Sequence, residues 1–252
     1  KTVEPSLDSI ALADQCAYAE SLLSTMGLID NFAPLVVFCG HGSATTNNAY
    51  ASALDCGACG GRHGASNAKI MAAIMNNGAV KQYLAERGIY IPSHTVFLAA
   101  SHNTTTDQVI VYGDGDLEGL PQLQQDFDQA TTLRQLARCN NLSDSQAATR
   151  RVQLMAHDWA QVRPEWGLAR NAAFIIAPRA ISAAVDLQGR CFLHSYDYRH
   201  DINGVALASI LTAPVVLAEW INMQYLFSTV NNIAYGGGSK ITQNITGKIG
   251  IM

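Results

Sequence analysis

The stretch VVFCGHGSATTNNAYASALDCGACGG, Val36 to Gly61, joins a short apolar run to a polar loop that is rich in glycine and cysteine. Its β-branched and aromatic residues give way to glycines on either side of residue 41, a pattern typical of a strand buried in a parallel sheet. The following segment, GASNAKIMAAIMNNG, carries alanine and methionine at helical spacing and ends in Asn-Asn-Gly. We therefore predict strand, loop and helix over residues 36–78.

The same alternation continues along the chain. Apolar runs typical of strands occupy residues 94–107, 171–178 and 189–197. Helical spacing is found over residues 6–26, 142–162 and 205–230. We expect Gly27 to stop the first of these helices, Ser143 to cap the second and Pro214 to kink the third. Strands that alternate with helices predict one α/β domain, a mostly parallel sheet flanked by helices.

The composition describes a globular chain with few charges: 252 residues, 48% hydrophobic, 14% charged, with a formal net charge of -4. A chain of this length buries a sizeable core without disulfides. Its lysines and arginines are not clustered with aromatic residues, which excludes nucleic acid as a partner. The longest apolar run, residues 205–218, is shorter than the roughly 20 residues needed to cross a bilayer, so we predict a buried helix there.

The cysteines bear on the cellular compartment of the protein, and the first residue bears on whether the chain is part of a longer one. Six cysteines occur without a secretory leader, so we expect reduced thiols or metal ligands in a cytoplasmic protein. The chain begins at Lys1 and not at Met. We therefore expect residues 1–252 to be the carboxy-terminal part of a larger protein.

Three histidines fall at or just after the ends of predicted strands: His41, His102 and His194. Reactive groups collect at the carboxyl edge of parallel sheets, so we predict one candidate site there. Cys56 and Cys59 have the C-x2-C spacing of zinc ligands. Zinc held by His41 with Cys56, zinc held by these two with Cys39 and Cys59, and no metal are all open at this point.

The same residues allow other interpretations. Cys56 activated by His41, with Asp55 or Asp107 as the orienting acid, would make a Cys-His hydrolase. The segment SHNTTTD, residues 101–107, is either a turn that bonds its own backbone or a site lining that presents His102 and Asp107. His194 is either a buried, hydrogen-bonded residue or a member of the site.

Several long motifs together resemble one known family. They are FCGHGS, SALDCGACGG, HNTTTD, PEWGLARNAAFIIAPR, FLHSYD, ILTAPVVLAEWINMQY and ITGKIGIM. In this order they resemble the carboxy-terminal part of the DabA family, the soluble subunit of a bacterial system that accumulates inorganic carbon. The resemblance implies a core similar to the β-class carbonic anhydrases, with Zn2+ held by two cysteines, a histidine and an aspartate.

The resemblance assigns two of the four zinc ligands to this sequence. The histidine of the Gly-His-Gly turn falls on His41, and the cysteine of the Asp-Cys-Gly-Ala-Cys-Gly-Gly turn falls on Cys56. The family's other two ligands lie in a Cys-x-Asp-x-Arg strand, and no cysteine here is followed two positions later by aspartate. The chain is therefore expected to carry half of the zinc site, and to be inactive in CO2 hydration by itself.

The resemblance also implies a place in the cell and a partner. The intact protein would hydrate CO2 to bicarbonate on the inner face of the cell membrane, bound to a membrane-embedded, antiporter-like subunit of the DabB type. His102, Asp107 and His194 are then hypotheses for outer-shell support or proton transfer. The alternative from a different class is a non-catalytic scaffold whose apolar helix over residues 205–230 binds the missing half or the membrane partner.

Overall fold

The structure, a computed structural model, describes residues 5–46, 51–56, 59, 61–113, 117–139, 145–158, 171–231 and 233–234. Its helices are α1 (Leu12–Met26), α2 (Ala51–Leu54), α3 (Ala65–Asn76), α4 (Gly78–Ala85), α5 (Leu120–Arg138), α6 (Ser145–His157), α7 (Val205–Thr212) and α8 (Pro214–Asn231). Its strands are β1 (Leu35–Gly42), β2 (Val96–Asn103), β3 (Val109–Tyr112), β4 (Ala173–Ile176) and β5 (Cys191–His194). These elements form a mixed α/β fold.

The first sheet has the order β1-β2-β3. Strands β1 and β2 are parallel over their whole length, with Leu35 opposite Val96 and Gly42 opposite Asn103. Strand β3 is antiparallel to β2, with Val109 opposite His102. Because the parallel strands share one register, both end at the same edge of the sheet.

The main core lies between this sheet and helices α1, α3 and α4. Phe97 of β2 is its central aromatic residue, stacked on Phe38 with ring centroids 5.6 Å apart and edge-on to Phe32 at 6.2 Å. The other fully buried members of this core are Ala19, Leu23, Ile74, Met75, Val80 and Leu84. Burial of each of the larger side chains contributes about 1.5–3 kcal/mol, so this cluster carries much of the stability of the region.

Helix ends follow the sequence in three places. Gly27 adopts the left-handed conformation, with φ 68°, and its N–H caps the carbonyls of Leu23 and Ser24. Asn77 ends α3 and caps α4, because its side chain accepts a hydrogen bond from the N–H of Ala79. The expected interruption at Pro214 is confirmed, since α7 ends at Thr212 and α8 begins at Pro214. Ser143 lies outside the described residues.

The second sheet contains only the parallel pair β4-β5 among the described residues. Its eight strand residues are half-buried or exposed. Among the described residues from 171 onward, the buried hydrophobic side chains are Ile210 and Ala218. The expected burial of the helix over residues 205–218 is therefore wrong for most of its side chains, which reach solvent. No helix in the described ranges is both long and apolar enough to cross a membrane.

The expectation of one mostly parallel sheet is corrected by this arrangement. The mixed α/β class holds, but the strands divide between two small sheets, and one of the three strand pairs is antiparallel. The physical reason for the antiparallel pair is the tight turn after Asn103, which returns the chain directly into β3. A parallel pair would need a much longer crossover connection at that point.

Candidate functional site

Two of the three predicted strand-end histidines lie side by side. His41 of β1 and His102 of β2 are register partners in the parallel pair. Neighbouring strands are about 4.8 Å apart, so the two backbones present these residues together at the edge of the sheet. The segments that follow, Ser43 to Thr46 and Thr104 to Asp107, begin at the same edge.

Cys56 lies in a short hairpin that packs against the end of β1. Its backbone N–H donates to the carbonyl of Arg62 at 3.2 Å, and its carbonyl accepts from the N–H of Gly61 at 2.9 Å. The hairpin is joined to β1 by a hydrogen bond from the N–H of Gly64 to the carbonyl of His41, at 2.7 Å. The segments that carry the two proposed ligands are therefore in direct contact.

Glycine makes that contact possible. A Cβ atom built on Gly40 would lie 2.4 Å from the carbonyl carbon of Gly64, a distance that atoms with normal packing do not reach. A Cβ atom on Gly64 would in turn lie 3.1 Å from the backbone nitrogen of His41. Glycine is therefore needed at residue 40 for the close approach of the two backbones, and at residue 64 a larger side chain would fit only tightly.

Asp55 fixes the hairpin from its other side. Its Oδ1 accepts hydrogen bonds from the backbone N–H of Ser43 at 2.8 Å and from the Ser43 hydroxyl at 2.7 Å. The same oxygen lies 3.5 Å from Nε2 of the exposed His63. Asp55 is buried and occupied by these contacts, which anchor Cys56 beside the end of β1.

Two thiols near this edge, those of Cys39 and Cys59, have raised pKa values. A hydrogen bond with Cys56 is the main cause for Cys59, reinforced by burial and opposed by Asn67, whose amide lies 3.5 Å from the sulfur. Partial burial raises the pKa of Cys39, against the opposing effect of the His102 backbone N–H. A raised pKa favours the neutral thiol, and only the thiolate binds metal. Both residues would therefore need a nearby cation to favour the thiolate before they could act as ligands.

Two of the described residues have the donor chemistry of a zinc site. His41 and Cys56 are donor types that zinc prefers, and they lie on adjoining segments. No group of three His, Cys, Asp or Glu side chains in the described part of the chain is placed to hold a metal ion. The four-donor set of Cys39, His41, Cys56 and Cys59 is therefore not formed by the described residues.

The segment SHNTTTD is a turn of the kind that polar residues build from their own side chains. Oδ1 of Asn103 accepts from the N–H and hydroxyl of Thr105, at 3.1 and 2.6 Å. The Thr105 hydroxyl also donates to the carbonyl of Ala44, and the N–H of Thr104 donates to the carbonyl of Gly42. These bonds join the polar loops that follow the two strands, which confirms the turn interpretation.

The same turn presents His102 to a buried carboxylate. Nε2 of His102 lies 3.3 Å from Oδ1 of Asp107, and Nε of Arg138 lies 2.9 Å from Oδ2 of Asp107. The side chains of Asp107 and Arg138 are 3% and 6% exposed, whereas that of His102 is 39% exposed. A half-exposed imidazole therefore contacts a buried ion pair at the edge where β1 and β2 end.

The structure places His194 on the other sheet. It is the last residue of β5, where its Nδ1 lies 2.9 Å from the carbonyl of Ser195 and its ring lies 6.3 Å from that of Phe174. The fold thus brings His41 and His102 together, while any contribution of His194 stays a prediction.

The two acids considered for a Cys-His hydrolase face other histidines. The described contacts of Asp55 include His63, and those of Asp107 include His102. Each of the two acids therefore has a histidine partner other than His41. A cavity of about 600 Å³ does exist elsewhere, between α1 and the segment 195–209, but none of the five predicted site residues lines it.

The sequence motifs do not predict the contribution of α5 to this site. Thr131, Gln135 and Arg138 donate hydrogen bonds to backbone carbonyls of residues 104–107. Their spacing places all three on one face of the helix, and a polar stripe of this kind is the one signal available in the sequence. Helix α5 therefore holds the turn that carries Asp107 in place through these hydrogen bonds.

Comparison with known proteins identifies the family. The family model described as "Probable inorganic carbon transporter subunit DabA" matches residues 1–252. A protein of that name from Legionella pneumophila (strain Philadelphia 1) is 55% identical over 248 residues, covering 96% of this chain and 32% of the relative.

Two further relatives carry the same name. The protein from Salinibacter ruber is 51% identical, covering 96% of this chain and 31% of the relative. The protein from Haloarcula marismortui is 46% identical, with corresponding shares of 94% and 30%. The chain thus spans less than a third of the length of these curated relatives. No solved structure matches the chain. On the strength of the family model and these relatives, the chain belongs to the DabA family.

Proposed function

We propose that this chain is part of a zinc-binding, carbonic anhydrase-like subunit of an energy-coupled inorganic carbon transporter. The relatives are named as probable subunits of an inorganic carbon transporter. The observation that carries the zinc assignment is the direct contact between the end of β1, with His41, and the hairpin that holds Cys56. The proposal extends to a core similar to that of the β-class carbonic anhydrases.

His41 and Cys56 would supply two ligands, and residues outside the described part of this chain would supply the others. Bound zinc supplies Lewis-acid activation of water for the hydration of CO2 to bicarbonate. The chain's own residues hold the site: Asp55 anchors the hairpin, and Gly40 with Gly64 allows its close approach to β1. His102, backed by Asp107, would take up and pass on a proton at its exposed imidazole.

Metal content of the full-length protein tests this proposal. We expect His41→Ala and Cys56→Ser to lower the bound zinc per chain several-fold and to abolish carbon accumulation in cells that depend on the system. His94→Ala and Cys191→Ser are the matched controls, because His94 is exposed and Cys191 lies on the second sheet. Unchanged zinc content in both ligand variants would contradict the assignment.

The exposed apolar surface of α8 favours a second candidate, the scaffold. Leu226 is 53% exposed and Val230 is 65% exposed, and Glu219 is the one charged residue of this helix. Contiguous exposed apolar surface of this kind marks protein or membrane interaction sites. A scaffold would keep carbon accumulation in Cys56→Ser and lose it when Leu226 and Val230 are made polar.

We propose that the partner is a membrane-embedded, antiporter-like subunit of the DabB type and that the protein is peripheral on the inner face of the membrane. The word subunit in the relatives' names supports the existence of a partner. Fractionation of cells that express the full-length protein with and without the membrane subunit tests this placement. Membrane association that persists without the subunit would contradict it.

A further inference from the structure

Asp107 and Arg138 form the most buried ion pair described in this chain. Nε of Arg138 lies 2.9 Å from Oδ2 of Asp107. The same guanidinium donates through Nη1 to the carbonyl of Thr105 at 2.9 Å and through Nη2 to the carbonyl of Thr104 at 2.7 Å. All three nitrogens of the guanidinium therefore contact the one turn that follows β2, which fixes its position from a neighbouring helix.

The backbone at Asp107 is held in an unusual conformation. Its φ is 63°, in the left-handed region that residues other than glycine seldom occupy. The N–H of Asp107 donates to the carbonyl of Asn103 at 2.6 Å, and its own carbonyl accepts from the hydroxyl of Thr131 at 3.0 Å. Such a conformation costs free energy and persists only where surrounding contacts determine it, so it indicates that the carboxylate's placement is specified.

The two carboxylate oxygens have different neighbours. Oδ2 faces Arg138, whereas Oδ1 lies 3.3 Å from Nε2 of His102 and 3.9 Å from Nε of the more exposed Arg134. A carboxylate that is fixed in this way favours the proton on Nε2 of the neutral imidazole, so Nδ1 is the acceptor nitrogen. Arg138 therefore sets the geometry of His102 through Asp107, although it does not itself touch the imidazole in the contacts described.

We propose that Arg138 is a positioning residue that, through Asp107, orients the imidazole of His102 for its part in carbon handling. This inference rests on the proposed function, because it takes the edge where β1 and β2 end as the working site. It adds Arg138 of α5 to the site, and it states that this arginine affects the imidazole of His102 only through the carboxylate of Asp107.

A double-mutant cycle in the full-length protein with its partner subunit tests this inference. The single changes are Arg138→Ala and His102→Gln, and the measured quantity is the rate of inorganic carbon accumulation. We expect each to lower the rate between about 10- and 100-fold, the range seen when outer hydrogen-bond partners are removed. Because both changes interrupt the same chain of contacts, the double variant should be no slower than His102→Gln.

A merely structural role of Arg138 predicts a different result. In that case the losses multiply in the double variant, and the rate of Arg138→Ala follows the amount of folded protein. Either multiplication of the losses or a wild-type rate in His102→Gln overturns the inference. Arg151→Ala, an exposed arginine of α6, is the matched control and should keep the wild-type rate.

A second pair of variants keeps the test decisive if Arg138→Ala does not fold. Asp107→Asn conserves the shape of the side chain but removes the charge that pairs with Arg138, and Arg138→Lys restores a cation beside Asp107. We expect Asp107→Asn to show the same lack of additivity with His102→Gln, and Arg138→Lys to recover part of the rate. Additive losses for Asp107→Asn overturn the inference.

The cycle is separable from the test of the proposed function. It is measured as carbon accumulation and does not depend on zinc content, whereas the ligand assignment is tested by zinc in His41→Ala and Cys56→Ser. Retained zinc in those variants would refute the ligand assignment and leave the cycle interpretable. Multiplying losses in the cycle with zinc lost from the ligand variants would refute only the role of Arg138.

Discussion

The two sheets of this chain differ in how they are buried. The first packs its β1 and β2 strands against three helices around Phe97, and its edge carries His41, His102 and the Cys56 hairpin. The second has no strand residue that is fully buried, and α7 and α8, which follow it in the chain, carry apolar side chains that reach solvent. The difference indicates one well-packed region, around the first sheet, and a second region, residues 171–231, whose exposed apolar side chains could pack against other polypeptide.

The largest expected effect compares one aromatic residue from each sheet. Phe97→Ala removes a side chain that is 1% exposed and should lower the free energy of unfolding by about 3–5 kcal/mol. Phe192→Ala, from the half-buried pair with Phe174 at 5.9 Å, should cost about 1 kcal/mol. Urea denaturation of both variants measures the difference. Equal losses would show that the second sheet is as well packed as the first.

A pair of glycines tests the close approach at the first sheet. Gly40→Ala places a methyl group against the backbone of Gly64 and should cost about 1–3 kcal/mol by overpacking, with loss of carbon accumulation as the hairpin is displaced. Gly78→Ala meets nothing within 4 Å and should stabilise α4 by about 0.5–1 kcal/mol. Thermal unfolding of both variants, with an accumulation assay, checks the pair. A fully active Gly40→Ala protein would argue against the placement of the hairpin.

The apolar surface of the second region gives a smaller effect on stability. Changing Leu226 and Val230 of α8 to glutamine should alter the free energy of unfolding by no more than about 0.5 kcal/mol, because both side chains are exposed. Binding of a hydrophobic dye to the protein should fall. A leucine-to-glutamine change at the exposed Leu133 of α5 should lower dye binding less. A large loss of stability would mean that α8 is buried against the rest of the chain.

The smallest effect concerns an exposed ion pair in the second region. Hydrogen bonds from Arg199 hold the pKa of Asp197 at about 2. A depressed pKa contributes stability above the ordinary value near 3.8, and this contribution is lost as the pH falls from about 4 towards 2. Arg199→Gln should return the pKa towards 3.8 with little change at pH 7. Carboxyl NMR titration measures it, and an unmoved pKa would exclude Arg199 as the cause.

The sequence predicts the first region well because local and tertiary requirements agree there. The apolar run before Gly40 forms β1, the helical spacing after Gly64 forms α3, and Gly27 ends α1 in the conformation that glycine favours. In the motif that follows β2, the polar residues form the turn that their side chains allow.

The sequence does not predict elements whose signals are weak or ambiguous. Asn77 and Gly78 read as a stop, although Asn77 also caps the helix that begins at Gly78. Strand β3 is four residues long and follows a tight turn, so its antiparallel pairing depends on β2 and not on its own pattern. Helix α5 has a polar surface, and the contacts of Arg138 arise only when the helix packs beside the turn.

The division of the strands between two sheets is also a tertiary property. Residues 171–178 and 189–197 have the apolar character of buried strands, yet β4 and β5 pair only with each other among the described residues. An apolar run predicts that a strand packs against another element, but it does not specify which element that is. For that reason the sequence pattern groups His194, which ends β5, with histidines that lie on the other sheet.

X-ray absorption at the zinc edge of the full-length protein tests the central claim most directly. If Cys56 is a ligand, Cys56→Ser should remove one sulfur neighbour at about 2.3 Å from the metal, or the metal altogether, while Cys191→Ser leaves the spectrum unchanged. A protein that binds zinc with the same sulfur count in wild type and Cys56→Ser would contradict the assignment of this edge of the sheet as the metal site.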